Sequence, residues 1–152
     1  MEIEAFDIIG ISTRTTNANG QSAVDVERLW GRFWGEEIQN KIPNALNEEI
    51  YAVYTDYESD YQGAYTMIIG CAVSSVEEVP EGMVAHRIAR DTYEKFVSKG
   101  PMPQAILATW MDIWQNDATL NRAYRADFTV HGKKYFDGDQ AEVETFLSIK
   151  NP

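Results

Sequence analysis

The sequence predicts an α+β fold in which one unit, strand–strand–helix–strand–strand, is used twice to make an antiparallel sheet with two helices flanking a ligand cleft. Three observations predict it. Apolar residues recur at three- and four-residue spacing over only two stretches, residues 26–42 and 106–114. Runs rich in β-branched and aromatic residues, bounded by turn residues, flank each stretch. The two halves, about residues 1–75 and 82–152, carry these elements in the same order, with no long linker between them. At 152 residues, 44% hydrophobic and 24% charged, the chain has the composition of one folded domain with a shared core.

Residues 2–16 read as extended: Ile3, Ala5, Ile8, Ile9 and Ile11 supply β-forming density, interrupted near Asp7 and Gly10. Residues 17–21 form a polar loop, and Ser22 stands as a helix cap. Val26, Leu29, Trp30, Phe33, Trp34, Ile38 and Ile42 give the first helix its apolar face, and Pro43 stops it. Residues 49–56, rich in Tyr and Val, make a strand, 57–63 a polar turn, 64–73 a second strand, and 74–82 an acidic connection with Pro80. In the second half, 83–89 and 92–98 are strands joined at Arg90 and Asp91. Gly100, Pro101 and Pro103 announce the second helix, whose face is Ile106, Leu107, Trp110, Ile113 and Trp114. Residues 122–131 read as a strand, 132–138 as a turn region and 142–150 as the last strand.

The formal net charge of −11 excludes several classes of function. Nucleic-acid binding needs a basic surface to neutralise phosphates, so neither nucleic acid nor an anionic membrane is an expected partner. The acidity favours solubility and attracts cations at long range. Cys71, the single cysteine, cannot form an internal disulfide and reads as a small buried strand residue. With no basic-plus-apolar leader and no apolar run near the ~20 residues of a membrane span, the expected location is the cytoplasm. His86 and His131, the only histidines, lack metal-ligand spacing. Glu58 and Asp60 miss the calcium-loop pattern because Tyr61 stands where the turn glycine belongs. Asp137-Gly138-Asp139 reads as a turn, and Lys99-Gly100-Pro101 lacks the glycines of a phosphate loop. No metal and no cofactor is therefore expected.

Tryptophan carries the sharper signal. Trp30 and Trp34 lie four apart on the first helix, Trp110 and Trp114 four apart on the second, so each pair shares one helix face. Glu37 and Asp117 each follow the second tryptophan by three residues, at the edge of that face. On residues alone these faces fit a packed core or a pocket. Four tryptophans at matched places on two helices favour a groove with flat aromatic walls, suited to a planar lipophilic cation.

Leu29-Trp30 through Phe33, Ile50-Tyr51-Ala52-Val53-Tyr54, Gly63-Ala64-Tyr65-Thr66, Gly82-Met83-Val84, Tyr93 through Phe96 to Gly100, Trp110 through Trp114, and Tyr124 through Asp127-Phe128 follow one another in a familiar order and spacing. Over nearly its whole length the chain resembles the GyrI-like small-molecule-binding domain, which is also the effector-binding domain of AraC-type and MerR-type multidrug-responsive transcription regulators. The resemblance implies a pocket between the two helices that binds hydrophobic, often cationic, drugs or dyes. The ligand-binding residues it implies are Trp30, Phe33, Trp34, Tyr51, Tyr65, Met67, Phe96, Trp110, Trp114, Asp127 and Thr129. The regulators also carry a helix-turn-helix module, for which this chain has no room, so a stand-alone domain is expected. After the Asp-Phe pair the family usually places a pocket glutamate, and two residues further a tyrosine. Here these are Thr129 and His131. Asp127, on the same strand face as Thr129 by alternation, is the first candidate for a compensating carboxylate, with Glu37 and Asp117 behind it.

These readings favour a sensor or sequestering protein for lipophilic cations. A hydrolase of strained or electrophilic small molecules is the enzymatic alternative, and it would need the acid that Thr129 replaces. A charged interaction module that inhibits an enzyme such as a topoisomerase is the third. Exposed sheet edges would permit a homodimer.

Overall fold

The computed structural model describes residues 1–60 and 62–150. Tyr61, on which the argument about a calcium loop turned, lies outside them. The described strands are β1 (Glu2–Ile3), β2 (Phe6–Thr16), β3 (Ile50–Thr55), β4 (Ala64–Val73), β5 (Val84–Ile88), β6 (Asp91–Lys99), β7 (Ala126–His131) and β8 (Glu142–Ser148). The helices are α1 (Gln21–Gly35), α2 (Ile38–Lys41), α3 (Gln104–Gln115) and α4 (Asp117–Leu120). The strands make one sheet of order β1-β6-β8-β7-β3-β4-β2-β5, antiparallel at every pairing.

The duplication is visible in this order. The series β2-α1-α2-β3-β4 in the first half matches β6-α3-α4-β7-β8 in the second, and the equivalent strands β3 and β7 pair at the centre. The first strand of each half crosses to the other: β1 pairs with β6, and β5 with β2. That exchange dictates the shape. Only Glu4 and Ala5 separate β1 from β2, a link that spans about 10 Å at full extension. In a flat sheet six strand spacings would part them, about 29 Å. The sheet must curl, and the equally short link from β5 to β6 requires the same. Phe6 on β2 accordingly meets Phe128 on β7, three strands away, with ring centres 5.4 Å apart.

Curling divides the apolar residues into two cores by strand alternation. On the convex face Ile9, Ile11, Ile50, Ala52, Met67, Ile69 and Cys71 pack beneath Leu29 and Phe33 of α1 and Ile38 of α2. On the concave face Ile8, Val53, Ile68, Ile88, Tyr93, Phe128, Val130 and Phe146 pack together. A fully buried side chain such as Phe33 contributes roughly 1.5–3 kcal/mol relative to exposure.

Several expected boundaries move for identifiable reasons. The first helix does not run on to Pro43: it ends at Gly35, Glu37 takes a left-handed conformation (φ 50°), and α2 starts at Ile38. The turn swings Ile38 and Ile42 into the core, which a straight continuation would not. Gly20, not Ser22, precedes α1, and Ser22 lies inside the helix. The first strand breaks at Glu4 and Ala5, whereas Asp7 and Gly10 lie within β2. Gly10 faces Gly70 across the ladder, and a Cβ there would stand 2.1 Å from the Ile69 carbonyl oxygen, so this close approach admits only glycine. Residues 122–125 are not strand: Tyr124 has φ 55°, and Arg122 makes only an isolated bridge to Ile149.

Candidate functional site

Each long helix covers its own half. α1 packs on β2 and β4, and α3 on β6, so the central strands β3, β7 and β8 lie between the helices. Register places Ala52, Thr129 and Thr145 side by side across these strands, flanked by Ile69 and Phe96. Three small side chains between larger ones make a shallow floor. All three are buried.

The tryptophans reach this floor from both sides. Trp30 of α1 lies with its ring centre 4.9 Å from that of His131. His131 Nε2 is 2.8 Å from Thr129 Oγ1. Thr129 in turn is the diagonal neighbour of Tyr54 across the β3–β7 ladder, on the same face. The Tyr54 ring centre lies 5.1 Å from that of Trp110 on α3. Trp30, His131, Thr129, Tyr54 and Trp110 thus form one continuous row from helix to helix. At one end Trp34 stacks on Trp30 (5.9 Å, 21°) and meets Phe136, itself 64% exposed. At the other end Trp114 lies beside Trp110 at 6.3 Å. Tyr65 stands 6.0 Å from Tyr54, Met67 pairs with Tyr54 across the ladder, and Phe33 supports Trp34 at 5.3 Å.

Ten of the eleven sequence-derived candidates therefore sit on the convex face or its helices. Tyr51 does not. It pairs with Val130 and packs on Phe6 at 5.6 Å and on Phe128 at 6.1 Å, on the concave side. Tyr51 and Tyr54 are three apart on a strand, so they cannot share a face. Tyr54 takes the place expected of Tyr51.

Asp127 is on the predicted face, but its charge is spent within the protein. Its Oδ1 accepts hydrogen bonds from the Ser148 backbone N–H (2.8 Å) and hydroxyl (3.1 Å). Its Oδ2 accepts from Arg122 (2.7 Å) and from the Tyr57 hydroxyl. Asp127 is fully buried and the Arg122 side chain 1% exposed, so the two form a desolvated, mutually neutralised pair. Arg122 also lies over the Tyr124 ring at 4.2 Å and within 5.9 Å of the Trp110 ring centre. Asp127 is thus not a free acid standing in for the glutamate that Thr129 replaces. Nor is Asp117, which Arg122 approaches at 3.5 Å and the Tyr124 hydroxyl bonds. Glu37 is exposed at the start of α2.

The remaining polar groups of the row are neutral. Burial pushes the Tyr54 and Tyr57 phenols well above their ordinary range. Burial pushes His131 down to about 4, and its ring stays between those of Trp30 and Tyr135. His131 Nδ1 and Thr145 Oγ1 are buried without a hydrogen-bond partner, two polar atoms left over in the floor. Among the described residues, no three His, Cys, Asp or Glu side chains come together as metal ligands. No helix among them is long and apolar enough to cross a membrane.

Sequence reasoning missed Tyr54, Tyr57 and Arg122. Alternation from Thr129 could have selected His131 but not Tyr54, because the pairing of β3 with β7 is a tertiary fact.

The curled antiparallel α+β sheet is a fold shared with known proteins. The family of integron-associated effector binding proteins, Cass2, matches residues 1–149. The chain belongs to this family. An integron cassette protein from the mobile metagenome of Vibrio cholerae has the same fold at 29% identity, with a TM-score of 0.75 over 99% of this chain and 94% of that one. The structure of SAV2435 bound to tetraphenylphosphonium superposes with a TM-score of 0.82 at 13% identity, over 99% of this chain and 92% of the other, and shows the shared fold. A Bacillus subtilis protein, YobU, whose name places it among transcriptional regulators, is 26% identical over 144 residues, 93% of this chain and 90% of its own length. The effector-binding resemblance read from the residues is therefore upheld, as is the duplicated α+β fold.

Proposed function

We propose that this effector-binding protein takes lipophilic small molecules, cations among them, between α1 and α3, as a sensor or sequestering protein. The observation that carries the reading is the unbroken row from Trp30 through His131, Thr129 and Tyr54 to Trp110, built from both halves over a floor of Ala52, Thr129 and Thr145. Family membership supports it, and so does the tetraphenylphosphonium, a lipophilic cation, held by SAV2435.

The electrostatics refine the class of ligand. With Asp127 neutralised by Arg122, cation preference comes from the indole and phenol faces and from the net charge of −11. Each cation–π contact adds roughly 0.5–2 kcal/mol, so two or three of them supply part of the ~8 kcal/mol of micromolar binding, apolar burial the rest, with modest discrimination against neutral isosteres. Ala52, Thr129 and Thr145 are buried, so a ligand reaches the floor only as the side chains above it move.

All four tryptophans lie on the two helices that flank this row, so their fluorescence reports occupancy directly. Titration with rhodamine 6G or tetraphenylphosphonium quenches or shifts the emission at micromolar concentrations. Trp30→Ala or Trp110→Ala weakens binding about tenfold, the loss of one good aromatic contact. An emission spectrum unchanged up to roughly 100 μM of both compounds sinks the proposal.

A further inference from the structure

The concave face carries a second aromatic assembly that the first site does not use. Phe6 lies 5.6 Å from Tyr51 and 5.4 Å from Phe128, and Phe128 stacks on Phe146 at 4.9 Å. These four rings line a cavity of about 330 Å³, open to solvent, with Asn47, Glu49 and Glu144 also at its wall. That volume lies at the lower end of small-ligand sites, which run from roughly 300 Å³ upward.

Charge identifies the occupant. Glu144 pairs with Lys95. Glu49 makes no ion pair among the described residues and is half-buried. The Tyr51 phenol is raised above its ordinary range first by burial and then by the Glu49 charge, with Glu144 adding to it, so both carboxylates act at the hydroxyl end of that ring. An apolar, π-faced hollow with an unpaired carboxylate at its wall is complementary to an ammonium ion bearing an apolar group. A neutral hydrocarbon would leave the Glu49 charge unused, and an anion would meet two carboxylates.

We propose that this cavity is a second ligand site, on the opposite face of the sheet from the tryptophan row, for small aryl- or alkylammonium ions lodged against Phe6, Tyr51 and Phe128 with the cation toward Glu49. Strand alternation keeps the two sites apart: Phe128 faces one, while Asp127 and Thr129 face the other.

Methyl-labelled full-length protein, titrated with benzyltrimethylammonium and followed by NMR, tests it. Saturable shifts are expected at the methyl groups of Ile3, Leu46 and Val130, which line the cavity. Glu49→Gln should weaken them about threefold, the scale of one partly exposed ion pair. The neutral isostere neopentylbenzene should bind more weakly than the cation, and Trp30→Ala should leave these shifts unchanged. Four results overturn the proposal: no shift at those methyls up to about 10 mM, shifts confined to Met67 and Ile69 on the convex face, equal binding of the neutral isostere, or no effect of Glu49→Gln. Because Trp30→Ala affects only the first site and Glu49→Gln only the second, either proposal can fail alone.

Discussion

Replacing Asp127 with asparagine removes one charge and one acceptor from a buried carboxylate that accepts four hydrogen bonds. The carboxylate accepts from the Ser148 N–H and hydroxyl on one oxygen and from Arg122 and the Tyr57 hydroxyl on the other. An amide must turn its NH₂ toward one of these donor sets, so either the Ser148 N–H or the Arg122 N–H loses its acceptor. In both orientations the Arg122 cation, 1% exposed, loses its 2.7 Å counterion. Breaking a buried pair from one side costs about 3–5 kcal/mol. Asp117, 3.5 Å from Arg122, retains part of the compensation and places the expected loss near the lower end, about 3 kcal/mol. For a domain of this size each kcal/mol moves Tm by about 2–4 °C, so circular dichroism should show a fall of about 6–12 °C. Arg122→Met in the same chain should recover part of it, because the uncompensated charge goes with the side chain. Dye affinity of the folded variant should stay within about twofold of the parent, since the Asp127 charge is already cancelled where a ligand would sit. A Tm within about 2 °C of the parent would refute the structural role. A stable variant that no longer binds cationic dyes would show that Asp127 serves the ligand directly.

Two further predictions concern buried titratable groups. His131 is held at about 4, below the ~6.5 of an unfolded chain, so the unfolded state takes up the proton first. Its contribution is complete above about pH 6.5 and is lost as pH falls toward 4, about 3 kcal/mol in full. The urea midpoint should decline over that window, and His131→Gln should remove the decline. Asp91, held below its ordinary value by Arg125, acts only at lower pH. An unchanged pH slope in His131→Gln would refute the assignment. The Cys71 thiol, buried and pushed up to about 11, should resist a disulfide reagent at about pH 8 in the native protein and react fully in denaturant. Rapid labelling of folded protein would contradict its place under α1.

The fold and half of the site were legible in the chain because their signals are local. Helical periodicity located α1 and α3, β-branched runs bounded by turn residues located every strand longer than two residues, and the four-residue spacing of Trp30 with Trp34 and Trp110 with Trp114 placed each pair on one face. The matching order of the halves announced the duplication. What tertiary structure decided depends on which distant residues meet. The exchange of β1 and β5 between halves, and with it the curl and its concave cavity, follows from pairings that no local pattern encodes. The choice of Tyr54 over Tyr51 required the partner strand, because alternation states that two residues differ in face without stating which face is covered by helices. By strand alternation alone Asp127 is an available carboxylate. Its partners Tyr57 and Ser148 lie 70 and 21 residues away, so only the folded chain could reveal that its charge is already matched. Local chemistry thus determined that two tryptophan faces exist, and the long-range pairing of β3 with β7 determined that they flank a neutral row of threonine, histidine and tyrosine.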